Sequence, residues 1–329
     1  MSRSLEKRCR DLVCELGLSE AEQNVSVSPL VGGVASDIAR VDVAGKSFCV
    51  KFALEKLKVA EDWRAPVRRN KAEYAWLEFA AEIEPRSVPR LFGRAGGGFA
   101  MEFVSSPDVR LWKNALLQEP PRMQNAKSVA NALGRIHAAS TRPGFRAEAF
   151  RNHDDFAMLR IDPYLLFTAR RHPRLERPLS RLADSLYRSR TALVHGDVSP
   201  KNILFRGRQP LFLDAECATM GDPAFDAAFC LNHLILKSVH RPGFGAELIG
   251  AAEAFWDAYA SHVSWESSSE LERRAANLLP ALMLARVDGK SPVEYLSELD
   301  RDRVRKLAIP LVSTGPRKVS DVLRAVKRQ

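Results

Sequence analysis

The sequence predicts an α+β chain of two unequal lobes. A small antiparallel-sheet lobe covers residues 25–104, a larger and mostly helical lobe covers 105–329, and an N-terminal helix lies within 1–24. Three observations carry this. Residues 25–53 alternate apolar and polar side chains and are rich in Val, Ile and Phe, the period of half-buried strands. Beyond Val104 the apolar residues recur at helical spacing. The run LVHGDVSPKNILF, residues 193–205, sets a polar loop between two apolar strand ends. A rigid scaffold presents functional groups in this way.

Taken in order, MSRSLEKRCRDLVCELGL reads as a short amphipathic helix. It lacks the apolar core and small-residue cleavage site of a signal peptide. VSVSPLVGGVASDIARVDVAGKSFCVKFA reads as three antiparallel strands, with Ala44-Gly45-Lys46 as a turn. Residues 66–83 switch to helical period, with Ala72, Ala75, Trp76, Phe79 and Ala80 on one face. SVPRLFG and FAMEFV are two further strands around Ala95-Gly96-Gly97-Gly98, and Ser105-Ser106-Pro107 closes the small lobe. In the large lobe SVANALGRIHAAS and SRLADSLYRSR are helical, 141–175 is irregular and LFLDAE is a short strand. Helices follow at about 224–238, 245–264, 268–287 and 298–308. Two lobes joined in this way leave a cleft, where ligands bind.

Composition excludes several classes. The 329 residues are 46% hydrophobic and 27% charged, ordinary for a globular protein. No apolar run approaches the ~18 residues of a membrane span, so no membrane partner is expected and the expected compartment is the cytoplasm. The five cysteines are odd in number and form no C-x-x-C pair. Metal knuckles and a disulfide framework are therefore not expected, and Cys49 and Cys230 read as small core residues. The net charge of +10 is not gathered into blocks. Arg317, Lys318, Arg324, Lys327 and Arg328 read as a solvated helix face. No nucleic-acid-binding signature accompanies the charge, and no nucleic-acid partner is expected. The oligomeric state is left open.

The polar loop reads His195-x-Asp197-x-x-x-x-Asn202, and Asp214 follows twelve residues later in Phe212-Leu213-Asp214-Ala215-Glu216. Oxygen ligands on neighbouring loops suit Mg²⁺. Asp197 is left to take a hydroxyl proton, completing a toolkit for phosphoryl transfer to an alcohol. HGDVSPKN followed by LDAE closely resembles the aminoglycoside phosphotransferase and choline kinase family, and the order of elements agrees from about residue 25 to 300. The resemblance implies a protein-kinase-like fold, ATP with Mg²⁺, and a small-molecule hydroxyl acceptor. It makes Asp197 the catalytic base, Asn202 and Asp214 the metal ligands, and His195 a structural hydrogen-bonder. Glu216 either holds a second metal indirectly or shapes its loop. Lys51, on the third strand, is the expected phosphate lysine. Glu73 is its expected partner, with Glu78 and Glu82 on the same helix as alternatives. Gly32, Gly33 and Ser36 are expected over the ATP phosphates. The hinge Met101–Val104, with Glu102 and Val104, is expected to meet adenine through backbone groups. Asp226 is expected to brace the catalytic loop, and Asp222 to do the same or cap a helix.

Ser199 and Lys201 depart from the family pattern, in which many relatives have His and a small or polar residue at those places. Lys201 reads either as a stabiliser of transferring charge or as a solvated side chain. No long activation segment follows Asp214. That argues against an atypical protein kinase, which stays open beside a non-catalytic nucleotide- or nucleic-acid-binding protein on the same fold.

Residues 1–104 carry about +1 of the net charge and the large lobe roughly +9. This leans away from polycationic aminoglycosides and towards a neutral or anionic alcohol. Trp256, Tyr259 and Trp265 read either as an aromatic cage for a quaternary ammonium or as core. Asp154-Asp155-Phe156 and Arg160–Tyr164 read either as acceptor contacts or as solvated loop, and Trp63–Pro66 as a cover for the cleft.

Overall fold

The computed structural model describes residues 4–20, 24–30, 35–56 and 64–328. Helix α1 (Leu5–Glu15) precedes strands β1 (Val25–Pro29), β2 (Ser36–Val43) and β3 (Lys46–Ala53). Ala44 and Gly45 both have positive φ, 49° and 75°, the backbone of a two-residue hairpin that matches strand twist. Helix α2 (Arg69–Ile83) is followed by β4 (Leu91–Ala95) and β5 (Gly98–Glu102). The five strands form one antiparallel sheet in the order β1-β2-β3-β5-β4. The fourth strand begins later than the sequence suggests. Pro89 offers no ladder donor, and the Ser87 carbonyl accepts instead from Phe212 N–H in the large lobe, at 2.8 Å.

Period 2 divides this sheet between two cores. Phe48, Val50, Phe52 and Ala100 face α1, packing with Cys9, Leu12 and Val13. Cys49, Phe99 and Met101 face the other way, with Trp76 and Leu77 of α2 and the core of the large lobe. Lys51 pairs with Phe99 across β3 and β5. It therefore emerges on the face turned towards the large lobe.

The large lobe opens with β6 (Val109–Leu111), α3 (Trp112–Gln118) and α4 (Met123–Ser140). Residues 141–175 hold more helix than their composition suggests. Helix α5 (His153–Phe156) runs through a π-helical stretch, Ala157–Leu166, into α6 (Phe167–Arg171). The widened turns contain Pro163, which has no N–H to complete an α-helical ladder. Helix α7 (Glu176–Arg188) leads to β7 (Ala192–Val194), β8 (Ile203–Arg206), β9 (Gln209–Phe212) and β10 (Thr219–Gly221). β7 pairs with β10, and β8 with β6 and β9, so short strands hold both ends of the loops 195–202 and 213–218.

Helix α8 (Pro223–His240) is buried at every residue from Pro223 to Ser238. Helices α9 (Gly245–Ala260), α10 (Ser268–Asp288), α11 (Glu298–Thr314) and α12 (Val319–Lys327) complete the lobe. α12 buries Val319, Val322 and Leu323 and leaves Arg324 and Lys327 exposed, the solvated basic face expected of it. Cys49 and Cys230 are both buried. No described helix is long and apolar enough to cross a membrane. Because α1 reaches the sheet through so few side chains, Leu12→Ala should cost roughly 2–5 kcal/mol of stability, measured as a fall in the denaturant midpoint.

Candidate active site

Lys51 is 2% exposed. An ammonium so buried requires counter-charge. Two carboxylates supply it: Glu73 on α2, with its oxygens 2.8 and 2.7 Å from Nζ, and Asp214 from the loop after β9. Burial disfavours the Lys51 charge, but Asp214 and Glu73 outweigh it and raise the pKa, so the ammonium persists. Burial pushes Glu73 up to about 7, with Lys51 pulling the other way. Glu78 and Glu82 lie on the exposed face of α2. Glu73, the expected partner, reaches Lys51, and Glu78 and Glu82 do not among the described contacts.

Arg69, fully buried one turn before Glu73, ties the same parts together. Its Nε donates to Glu216 Oε2 at 2.9 Å, Nη1 donates to the Ala65 and Pro66 carbonyls, and Nη2 donates to those of Ala35 and Leu54. Glu216 thus shapes its loop through Arg69. Asp214 holds a left-handed backbone, φ 67°, uncommon for a residue with a Cβ and typical of functional loops. Burial opposes its charge, but Lys51 and Lys201 outweigh it, lowering the pKa.

The loop 195–202 is held from beneath by Asp226, which is fully buried on α8. Its carboxylate accepts from His195 N–H at 2.6 Å and Gly196 N–H at 2.8 Å, and meets His137 Nε2 at 3.2 Å. Asp222 caps α8 by accepting from Ala224 N–H at 3.0 Å. Gly196 has φ 78°, and a Cβ there would lie 2.9 Å from the Cys217 carbonyl oxygen. His195 Nδ1 accepts from Asp197 N–H at 3.1 Å, so Nε2 carries the proton and donates to the Leu213 carbonyl at 3.1 Å. Burial lowers its pKa. His195 is a neutral spacer between the two loops.

Asp197 meets Arg160 Nη2 at 2.9 Å and Lys201 Nζ at 3.1 Å, both at Oδ2. Burial would raise its pKa, but Lys201 and Arg160 dominate and hold the carboxyl well below the usual carboxylate range. Asn202 Nδ2 donates to the Asp197 carbonyl at 3.1 Å. That orientation leaves the amide oxygen as the free acceptor of the side chain. Lys51, Glu73, Asp197, Asn202 and Asp214 thus lie on linked segments at the junction of the lobes. Ser36 is buried at the start of β2. Gly32, Gly33 and Trp63 lie outside the described residues. Glu102 ends β5, donates its N–H to the Arg90 carbonyl at 2.7 Å and pairs with Arg206, while Val104 follows half-buried.

Three readings are narrowed. Tyr259 is fully buried with its hydroxyl on His137 Nδ1 at 2.8 Å, and Trp256 packs beside it. They are core and not a cage. Asp155 is buried on Arg68 and Asp154 accepts from Tyr187, so both are structural. Arg160 does reach the loop, a contact over 37 positions that no local spacing announces.

Asp226→Ala leaves two buried N–H groups without an acceptor and should cost roughly 3 kcal/mol or more. Gly196→Ala should destabilise by roughly 1–3 kcal/mol. Both are checked by thermal unfolding, and an unchanged midpoint in either variant would mean that the loop is held otherwise.

Comparison with solved structures finds a choline kinase from Cryptosporidium parvum Iowa II, 12% identical with a TM-score of 0.57, covering 97% of this chain and 99% of that one. A choline kinase from Streptococcus pneumoniae is 17% identical with a TM-score of 0.56, covering 94% and 99%. An aminoglycoside phosphotransferase in a ternary complex with streptomycin and ATP is 14% identical with a TM-score of 0.50, covering 94% and 97%. These likenesses show a protein-kinase-like fold. No curated protein matches the sequence. The sequence profile of the phosphotransferase enzyme family, APH, matches residues 26–276, from the first strand through the helices that carry the loops described above, and the chain belongs to that family.

Proposed function

We propose that the protein transfers the γ-phosphoryl group of ATP to a hydroxyl of a small molecule, with Mg²⁺. The observation that carries this reading is Lys51, buried between Glu73 and Asp214 beside the loop of Asp197 and Asn202. A persistent cation at the junction of the lobes suits a polyanion, and the adjoining Asp197 and Asn202 go beyond what burial of that cation calls for. Within the same family fold, the streptomycin complex of the aminoglycoside phosphotransferase holds ATP.

The donor set fits magnesium. Asn202 offers an amide oxygen and Asp214 a carboxylate, and no cluster of three or more His, Cys, Asp or Glu side chains competes among the described residues. An all-oxygen, two-residue set suits an ion that takes its remaining ligands from phosphates and water. When bound, the ion would neutralise charge on the phosphate oxygens.

The remaining roles fall to side chains. Lys51 would neutralise phosphate charge from the sheet side. Asp197 would accept a hydrogen bond from the acceptor hydroxyl and so aim its oxygen at the γ-phosphorus. Held so far below the usual range, it is a weak base, better suited to positioning than to early deprotonation. The hydroxyl oxygen bonds to phosphorus as the bond to the departing ADP oxygen breaks, and the hydroxyl proton passes to Asp197. Lys201, on Asp197 Oδ2, stands where it would meet transferring charge. Only seven residues separate Asp214 from Asp222, which supports a small-molecule acceptor over a protein. The cytoplasm, where ATP meets such acceptors, is the compartment this reading implies.

Asp197→Asn should lower acceptor-dependent ADP release by at least about 10²-fold while Mg-ATP still binds. Loss of nucleotide binding together with activity would make Asp197 structural. Asp214→Ala should weaken Mg-ATP binding itself by at least about tenfold. Calorimetry on both variants checks this, and an unchanged affinity would remove Asp214 from the metal role.

A further inference from the structure

Helix α8 is buried along its length, yet it carries two basic side chains with no anionic partner. Lys237 is 1% exposed and makes no described ion pair or hydrogen bond, and its Nζ lies 4.8 Å over the Tyr295 ring. His233, one turn earlier, leaves Nε2 buried and unpartnered. Opposite them on α10, Arg286 Nη1 donates to the Tyr164 hydroxyl and Ser291 Oγ, both at 3.1 Å, and to the Ser291 carbonyl. It has no described carboxylate partner. Arg286 Nε and the Tyr295 hydroxyl are also buried without partners.

The surrounding carboxylates are already engaged. Glu294 pairs with Lys113, and Asp288 with Arg305 and His172. Asp300 meets His240 and Arg303, and Asp197 takes both Arg160 and Lys201. Burial, with Lys113 and Arg286 nearby, draws the Lys237 pKa down to about 7. Burial, with Lys237 and Arg286 nearby, holds that of His233 well below its ordinary value. Buried cations and donors without acceptors are costly. Here three buried unpartnered atoms, His233 Nε2, Arg286 Nε and the Tyr295 hydroxyl, lie beside the unpaired Lys237.

The cluster adjoins the reaction centre. Arg160 pairs with Asp197 at 2.9 Å and lies 6.0 Å from the centre of the Tyr164 ring, and the Tyr164 hydroxyl accepts from Arg286. His233 lies within the electrostatic reach of Asp197 and Lys201. We propose that the hydroxyl acceptor is an oxyanion, a carboxylate or a phosphate monoester, seated by Lys237, Arg286 and His233 so that its hydroxyl faces Asp197. This assignment rests on the phosphotransfer reading and gives its substrate a charge.

Matched acceptors test it on the full chain with Mg-ATP, by ADP release. Glycerol is compared with glycerate and glycerol 3-phosphate, ribose with ribose 5-phosphate, and choline serves as the cation. The expected result is kcat/KM at least about tenfold higher for an anionic member, and the better of the carboxylate and phosphate arms identifies the anion. Lys237→Met should collapse that preference towards unity, and Arg286→Lys should reduce it. Preference for neutral or cationic acceptors, or a preference that survives both substitutions, overturns the proposal.

If no acceptor is turned over although Mg-ATP binds, the phosphotransfer reading fails, and the anion site is judged by binding. With Mg-ADP saturating, inorganic phosphate and acetate should raise the Tm of the wild type and not of Lys237→Met. No rise, or an equal rise in both, overturns the site. Lys237→Met replaces an unpaired buried cation with an apolar side chain of similar length. An unliganded Tm at or above that of the wild type shows that the variant is folded.

Discussion

One buried ammonium fixes much of the molecule. The period of β3 turns Lys51 inward on the same face as Cys49, where neither water nor the sheet can solvate it. Its counter-charge comes from two places, α2 and the loop after β9, and the lobes must meet for both carboxylates to reach it. Arg69 repeats the constraint one turn away, spending all its donors on the sheet ends, the start of α2 and Glu216. Separating the lobes would strand charges of both signs in the interior. Such buried pairs add little net stability, since well-packed apolar groups often serve equally well, whereas breaking one is costly.

The second organising element is α8. Asp226, His233 and Lys237 are seven and four residues apart, so they share one stripe of a mostly apolar helix. At its N-terminal end the stripe holds the backbone of His195 and Gly196. Further along, it carries the unpartnered Nε2 of His233 and Lys237, whose ammonium lies over the Tyr295 ring. A single buried helix thus both holds the backbone of the Asp197 loop and carries the neighbouring basic cluster.

Much of this was legible in the sequence where the signal is local. Alternation in 36–53 marked the strands, and the apolar neighbours Cys49, Val50 and Phe52 leaned towards a buried Lys51 while a water-facing one stayed open. The run from His195 to Asn202, followed by Asp214, gave the candidate centre, and Asp222 and Asp226 fell where a cap and a brace are found. Long-range choices were not legible. Spacing along α2 could not separate Glu73 from Glu78 and Glu82, because the selection is made by burial. The partners of Arg69 and Arg160 lie 147 and 37 positions away. The helical run through 153–171 was hidden by Pro163 and by charges that composition assigns to loops. Tyr259 looked available for an aromatic cage because its partner, His137, is 122 positions distant.

Lys51, held by Glu73 and Asp214, is proposed here as the phosphate-binding cation of a phosphotransferase. The most direct test is the Mg-ATP dissociation constant of the wild type and of Lys51→Met by calorimetry, with folding verified in parallel. Binding by the wild type and a loss of at least about tenfold in the variant are expected. Equal affinity in two folded proteins would mean that the lysine serves the fold alone.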